Sequence, residues 1–351
     1  MERLMNPSAQ SSTSAIPSVD DIDAAWLSEV LGVEVAKVRQ SKIIHGTTTK
    51  AFLDLDYADS TTLPAKMLLK GGYEAHSAML AFYYRHEARV YAEVLPHVGG
   101  VHPRCFFADA GADATGTILL EDLAAAGATF GSPLQTMKIE QAERVLHSFA
   151  SLHASSWSAP ILDANPWLGV HNSANVSEFL FSKENWDTCA PTARFDYLTG
   201  DLIERVKARD AFDRLVELDL ESPRCLLHGD SHVANLYFLA DGTSGFLDWQ
   251  GAMAGRWSHD VAYFLSTALA IEDRRNHERA LLARYLQYLA AAGGPVIDFD
   301  DAWLEYRRAA YFGLLWCLTT PMFQPEEVCV AAGQRCGAAV ADHRSLDLLT
   351  N

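Results

Sequence analysis

The sequence predicts an α+β fold in two lobes, a small N-terminal lobe built on an antiparallel sheet with one helix and a larger, mainly helical C-terminal lobe. Three observations carry this. Short runs of strand type crowd the stretch between residues 35 and 120. Amphipathic runs of helical period dominate from Lys138 onward. The chain has 351 residues, more than one usual domain, and its 49% hydrophobic content supplies a sizeable core. The partition expected is a flexible polar tail over residues 1–17, an N-terminal lobe over 18–123 and a C-terminal lobe over 124–351.

Along the first lobe, Ser18 before Asp20 and Asp21 is an N-cap signal for a helix that reaches Leu31-Gly32. Val35–Ile44 and Ala51–Tyr57 alternate like strands, with His45-Gly46-Thr47-Thr48-Thr49 as the turn between them. Met67-Leu68-Leu69-Lys70-Gly71-Gly72 is the next strand; Lys70 either solubilises an edge or aims a cation into a cleft, and Lys66 shares its face. A helix over Ala78–Leu95 carries Glu87 between apolar neighbours, with Glu93 as the other candidate carboxylate. Cys105–Phe107 and Thr117–Leu120 are two further strands, the second running into Glu121-Asp122-Leu123. In the second lobe, Ala142, Val145, Leu146, Phe149 and Leu152 mark an amphipathic helix over Lys138–Ser156. His147 and His153 on it are expected as core or surface residues rather than ligands. The stretch from Asn165 to Leu198 is rich in aromatics, Trp186 and Phe195 among them, which are either core or acceptor contacts.

The densest chemistry lies in LLHGDSHVANLYFLADGTSGFLDWQ, Leu226 to Gln250. Leu236–Phe238 and Gly245–Leu247 are two short strands joined through Asp241-Gly242, an Asp-Gly hairpin signal. The hairpin brings Asn235 and Asp248 to one end. Asp230 is then placed to accept a hydroxyl proton, Asn235 to hold a metal ion, and Asp248 to bridge metal and phosphate. Phosphoryl transfer needs this set because positioning and charge neutralisation do most of the work, and Mg²⁺ takes one or two carboxylates rather than a closed protein cage. A rival reading takes His228, Asp230 and His232 as three zinc ligands of a metal-dependent hydrolase, which leaves Asn235 and Asp248 idle.

These residues resemble the aminoglycoside phosphotransferase and choline kinase superfamily, and within it the ecdysteroid-kinase-like branch and its bacterial relatives. HGDSHVAN, FLDWQ and WSHDVAYFL carry the resemblance, with LPAKMLLK, HEARVYAEVLP, TILLEDL and SLHASSW upstream. It implies a protein-kinase-like fold, ATP and Mg²⁺ as cofactors, and a small-molecule hydroxyl as acceptor. It places Gly46, Thr47 and Thr48 over the phosphates, although a single glycine stands where related loops carry several. It gives Lys70 the α and β phosphates, Glu87 the task of fixing Lys70, and the main chain of Glu121 to Leu123 the adenine. Asp230 is the expected base, and Asn235 and Asp248 the metal ligands. Asp260 opens a helical pattern and reads first as an N-cap, to which the resemblance adds a bond to the catalytic-loop backbone; His228 is expected to order that loop. His232 reads as solvent-facing, with charge stabilisation the other option. The aromatics Trp303, Tyr306, Tyr311 and Trp316 with Met322 either close an acceptor cavity or simply pack helices.

Only 11 residues separate Asp248 from Asp260, too few for a long activation loop, so the resemblance implies a site not gated by loop phosphorylation and little platform for a protein substrate. The formal charge of −17 argues against nucleic acid and against an anionic membrane. It also suits a cationic acceptor, or mere solubility. No run is long and apolar enough to span a bilayer, and the first residues lack an apolar signal core. Six cysteines without a paired framework suggest free thiols in a reducing cytoplasm. No obligate protein partner is evident. A nucleotide-binding pseudokinase is a further alternative, opposed by the joint presence of Asp230, Asn235 and Asp248.

Overall fold

A computed structural model describes residues 18–111, 116–169, 177–221, 223–321 and 324–350. The expected tail over 1–17 and Met322 lie outside the described residues. The chain divides into two compact units, one holding the residues up to Ala88 with Arg104–Asp122, the other holding Arg89–Pro103 with the residues from Leu123 onward.

The first unit is a five-stranded antiparallel sheet of β1 (Val35–Ile44), β2 (Thr49–Tyr57), β3 (Lys66–Gly71), β4 (Cys105–Asp109) and β5 (Thr117–Glu121), in the order β1-β2-β3-β5-β4. Its inner face is set by alternation: Leu53, Leu55, Met67, Leu69 and Leu119 are buried with Leu27 and Val35 in one apolar cluster. Leu27 comes from the helix Ala24–Leu31, which starts later than the Ser18 signal suggests. The Ser18 hydroxyl accepts from Asp20 N–H and caps only a short 3₁₀ turn, Val19–Asp21. Asp23 caps the helix proper, accepting from Trp26 N–H at 2.8 Å, and Gly32 ends it in the left-handed region at φ 66°. A side-chain oxygen three residues before an amide wins because it sits at the turn where the α-helix begins. The expected helix over Ala78–Leu95 is three pieces: an α-helix Ser77–Arg89, a π-turn Val90–Val94 and a 3₁₀ turn Leu95–His97. Nothing in an apolar pattern distinguishes these hydrogen-bond spacings.

In the second unit the helix Ile139–Ser156 buries Val145, Leu146, Phe149 and Leu152, as its period requires, and packs on the helix Ile271–Ala291. β6 (Thr129–Phe130), β8 (Leu236–Phe238) and β9 (Ser244–Phe246) form one small sheet, and β7 (Cys225–Leu227) pairs antiparallel with β10 (Met253–Gly255). The hairpin between β8 and β9 turns at Asp241-Gly242, where Gly242 takes φ 86° and Asp241 Oδ1 accepts from Thr243 N–H at 2.9 Å. The Ser148 hydroxyl ties the long helix to β9 through the Ser244 carbonyl at 2.9 Å. Five of the six cysteines are buried, and all six are free.

Candidate active site

β7 is apolar and buried, and it delivers the chain to His228-Gly229-Asp230. Two successive backbone amides there point at one carboxylate. His228 N–H donates to Asp260 Oδ2 at 2.7 Å and Gly229 N–H to Oδ1 at 3.0 Å, while the Ser231 hydroxyl donates to the Asp260 carbonyl at 2.9 Å. Asp260 is fully buried on the helix Ser258–Ala268, two residues past its start. It is therefore no N-cap; its carboxylate turns away from the helix amides to hold the loop, as the family resemblance implies. His153 Nε2 reaches Asp260 Oδ2 at 3.3 Å and the His153 Nδ1 is bonded to the Tyr285 hydroxyl at 2.8 Å. Burial works against the Asp260 charge, but the bond from His153 and the neighbouring histidines outweigh it and hold the carboxyl below its ordinary value. Gly229 sits at φ 76°, and a Cβ there would strike the Gly251 carbonyl, so both conformation and space demand glycine.

His228 is bonded into the loop at both ring nitrogens. Its Nε2 donates to the Leu247 carbonyl at 2.6 Å, and its Nδ1 accepts from Asp230 N–H at 3.3 Å. Trp249, buried, packs its ring 5.0 Å from the His228 ring. Asp230 itself is partly open, its side chain 32% exposed. The Asn235 amide donates to the Asp230 carbonyl at 2.8 Å and to Asp230 Oδ2 at 3.2 Å. That grip turns the Asn235 amide nitrogen, not its Oδ1, toward Asp230. Leu247 N–H donates to the Asn235 carbonyl at 2.8 Å, so Asp248 follows directly on a bond that fixes Asn235. Asp248 adopts φ 61°, ψ 64°, the left-handed region that a non-glycine residue enters at some cost and that concentrates at functional positions.

The oxygen set of Asn235 and Asp248 fits Mg²⁺, which favours hard oxygen ligands and few protein carboxylates. The zinc set does not hold. His228 gives both ring nitrogens to backbone partners, and His232 gives Nδ1 to Ala234 N–H at 3.2 Å. Among the described residues no three His, Cys, Asp or Glu side chains gather around one metal position. His232 is also not solvent-facing: it is 6% exposed, with the Trp316 ring edge-on at 5.3 Å. Its Nε2 stands 3.6 Å from Asp230 Oδ2. Tyr263, on the same helix as Asp260, also faces Asp230, and burial together with that carboxylate pushes its phenol well up. Its place three residues after Asp260, on the same helix face, was a usable signal for this neighbourhood.

The first unit holds the other predicted residues except Leu123, which falls in the second. Lys70 closes β3, pairs in register with Lys50 and Ile118, and is 4% exposed. Its Nζ donates to Glu87 Oε1 at 2.8 Å and lies 2.7 Å from Oε2. Lys66 on the same face is exposed and pairs with Asp54 at 2.9 Å, and Glu93 is bonded to Arg89, so neither rival takes part. In the β1–β2 turn Gly46 and Thr47 are exposed and Thr48 is buried. A Cβ on Gly46 would meet nothing closer than 3.8 Å, so the glycine is not sterically required there. The Glu121 carboxylate accepts from Arg104 N–H at 2.7 Å, a structural use of that side chain. The Leu123 carbonyl accepts from Ala128 N–H at 2.9 Å.

Trp186 and Phe195 are core: both are buried, with rings 5.3 Å apart at 87°. Tyr306 and Tyr311 are buried as well, and Trp303 stacks on Tyr306 at 5.4 Å, so these C-terminal aromatics pack helices.

Comparison with known proteins agrees with the motifs. Residues 140–307 match the phosphotransferase enzyme family, and residues 56–165 match the ecdysteroid kinase-like family. No curated protein sequence matches significantly. A choline kinase from Streptococcus pneumoniae shares the fold at 15% identity and a TM-score of 0.50, covering 91% of this chain and 97% of that one. An ethanolamine kinase from Plasmodium vivax does so at 12% identity and a TM-score of 0.53, covering 88% of this chain and 83% of that one. The GDP complex of aminoglycoside 2'-phosphotransferase-IIIa gives 11% identity and a TM-score of 0.51, with 88% and 93% covered. The expected protein-kinase-like α+β fold and the expected superfamily are borne out, and the family matches identify a phosphotransferase of the small-molecule kinase type.

Proposed function

From the resemblance to the aminoglycoside phosphotransferase and choline kinase superfamily, we propose that this chain transfers the γ-phosphoryl group of ATP to a hydroxyl of a small molecule, with Asp230 as base and Asn235 and Asp248 as magnesium ligands. The observation that supports it most is the single linked loop in which Asn235 donates to Asp230 while its own carbonyl accepts from Leu247 N–H, next to a left-handed Asp248. In the transfer the acceptor oxygen bonds to the γ-phosphorus as the bond to the β–γ bridging oxygen breaks. ADP leaves with that electron pair, and the hydroxyl proton passes to the Asp230 carboxylate. Asp230 orients the hydroxyl as much as it removes the proton, because a loose transition state asks little of a base. Mg²⁺ at Asn235 and Asp248 would neutralise charge on the phosphates. Lys70, fixed by Glu87, is the cation assigned to the α and β phosphates, and the main chain of Glu121 and Leu123 is assigned to the adenine. Amides and hydroxyls of Gly46, Thr47 and Thr48 are assigned to phosphate contact. The acceptor is a small alcohol. A cytoplasmic location fits the six free thiols, and no helix among the described residues is long and apolar enough to cross a membrane.

A screen of steroid-like alcohols, amino alcohols and antibiotics for ADP release identifies the acceptor. On that acceptor Asp230→Asn is expected to cut turnover by about 10²–10⁴-fold while ATP still binds with Mg²⁺. Asp248→Asn is expected to weaken Mg²⁺-dependent ATP binding, read by calorimetry with and without the metal. Full turnover by Asp230→Asn, or unchanged metal-dependent binding by Asp248→Asn, overturns the assignment. Transfer to no alcohol despite Mg²⁺-dependent ATP binding would favour the pseudokinase.

A further inference from the structure

Asp230 has two carboxylate oxygens, and the loop treats them differently. The Asn235 amide donates to Oδ2 at 3.2 Å, and His232 Nε2 stands 3.6 Å from the same oxygen. The Tyr263 hydroxyl is a further side-chain partner of this carboxylate. His232 cannot present a lone pair toward Asp230: its Nδ1 accepts from Ala234 N–H at 3.2 Å, which puts the ring hydrogen on Nε2. The ring has little freedom to turn, being 6% exposed with Trp316 packed edge-on against it at 5.3 Å and 88°. A donor buried this deep is costly to leave without an acceptor, and Asp230 Oδ2 is the one it faces.

We propose that His232 is a positioning residue for the transfer: its Nε2–H, facing Oδ2 of Asp230 beside the Asn235 amide, fixes by electrostatic attraction how the carboxylate meets the acceptor hydroxyl. The inference rests on the reading of Asp230 as base. With one oxygen engaged, the carboxylate cannot rotate about its Cβ–Cγ bond, so the hydroxyl meets a fixed lone pair in line with the phosphoryl group. His232 therefore touches neither the phosphate nor the transferred proton. Its other duty is ordinary: it caps the 3₁₀ turn Val233–Asn235.

The two duties separate by substitution. His232→Asn keeps a short side-chain oxygen for Ala234 N–H but withdraws the donor from Asp230. On the alcohol found by the ADP-release screen it is expected to lower kcat about 10- to 100-fold with KM for ATP unchanged. The decisive measurement is a cycle with Asp230→Asn. A residue acting through Oδ2 loses its effect once the carboxylate is gone, so His232→Asn should cost nothing further in that background. Equal cost in both backgrounds overturns the inference and leaves Asp230 as base untouched; loss of nothing by Asp230→Asn alone overturns the base. A second measurement needs no turnover. Long-range ¹⁵N correlation of the histidine ring in the full chain with ATP and Mg²⁺ should show His232 protonated at Nε2. A ring protonated only at Nδ1 overturns the inference, because no hydrogen would then point at Asp230.

Discussion

Lys70 shows what one residue identity decides. Side chains on both sides of the Lys70–Glu87 pair are within 5% of full burial. Lys66, four residues earlier, stands 56% exposed against Asp54. Removing one partner of a buried pair strands the other, so Lys70→Met is expected to destabilise the first unit by about 3–5 kcal/mol, whereas Lys66→Met stays within about 0.5 kcal/mol. Denaturant unfolding of both variants checks this, and equal losses would contradict the burial contrast. On the proposed reading, ATP use falls in the same order. At this scale much was visible in the sequence. A lysine ending an apolar run and a glutamate amid apolar helix positions were the pair to expect, and they meet. What was not visible was orientation: His232, between Ser231 and Val233, reads as solvent-facing, yet the Trp316 ring, 84 residues on, covers it. Only tertiary packing brings such partners together.

Asp260 carries the corresponding lesson for elements. An aspartate at the head of an apolar helix reads as a cap, and the carboxylate instead serves the amides of a loop some 30 residues earlier, at His228 and Gly229. Local pattern names the helix but not the element its first turn supports. Asp260→Asn should weaken that support by about 1–3 kcal/mol, the cost of leaving a buried amide poorly paired. The effect has a pH signature. The Asp260 carboxyl is held below its ordinary value, so its contribution is fully present above the ordinary carboxylate pKa of about 3.9 and fades as pH falls through the lower folded value. The stability gap between parent and Asp260→Asn is thus expected to be widest near neutrality and to close in strong acid. A gap that grows on acidification would reverse the sign of the argument. The strands were legible because their period is simple; the π-turn at Val90–Val94 and the helix start at Asp23 were not, since both depend on which amides find partners.

For the whole molecule the dominant quantity is charge. At −17 the folded chain repels itself, and screening should relieve this. Raising sodium chloride from about 0.01 M to about 0.15 M shortens the screening length from roughly 30 Å to roughly 8 Å, and the thermal midpoint is expected to rise. A fall would mean that specific ion pairs outweigh the net repulsion. The pairing of β7 with β10 and the bond from Leu247 N–H to the Asn235 carbonyl have a different consequence. They stitch the stretch from Cys225 to Gly255 into a closed ring, knotted again where Gly229 meets Gly251. A ring of that kind breathes as one body or not at all. Amides of Leu227, Gly229, Leu247 and Met253 should then exchange with deuterium at a common opening free energy, and no fluctuation that loosens the stretch bearing Asp248 leaves Asp230 behind.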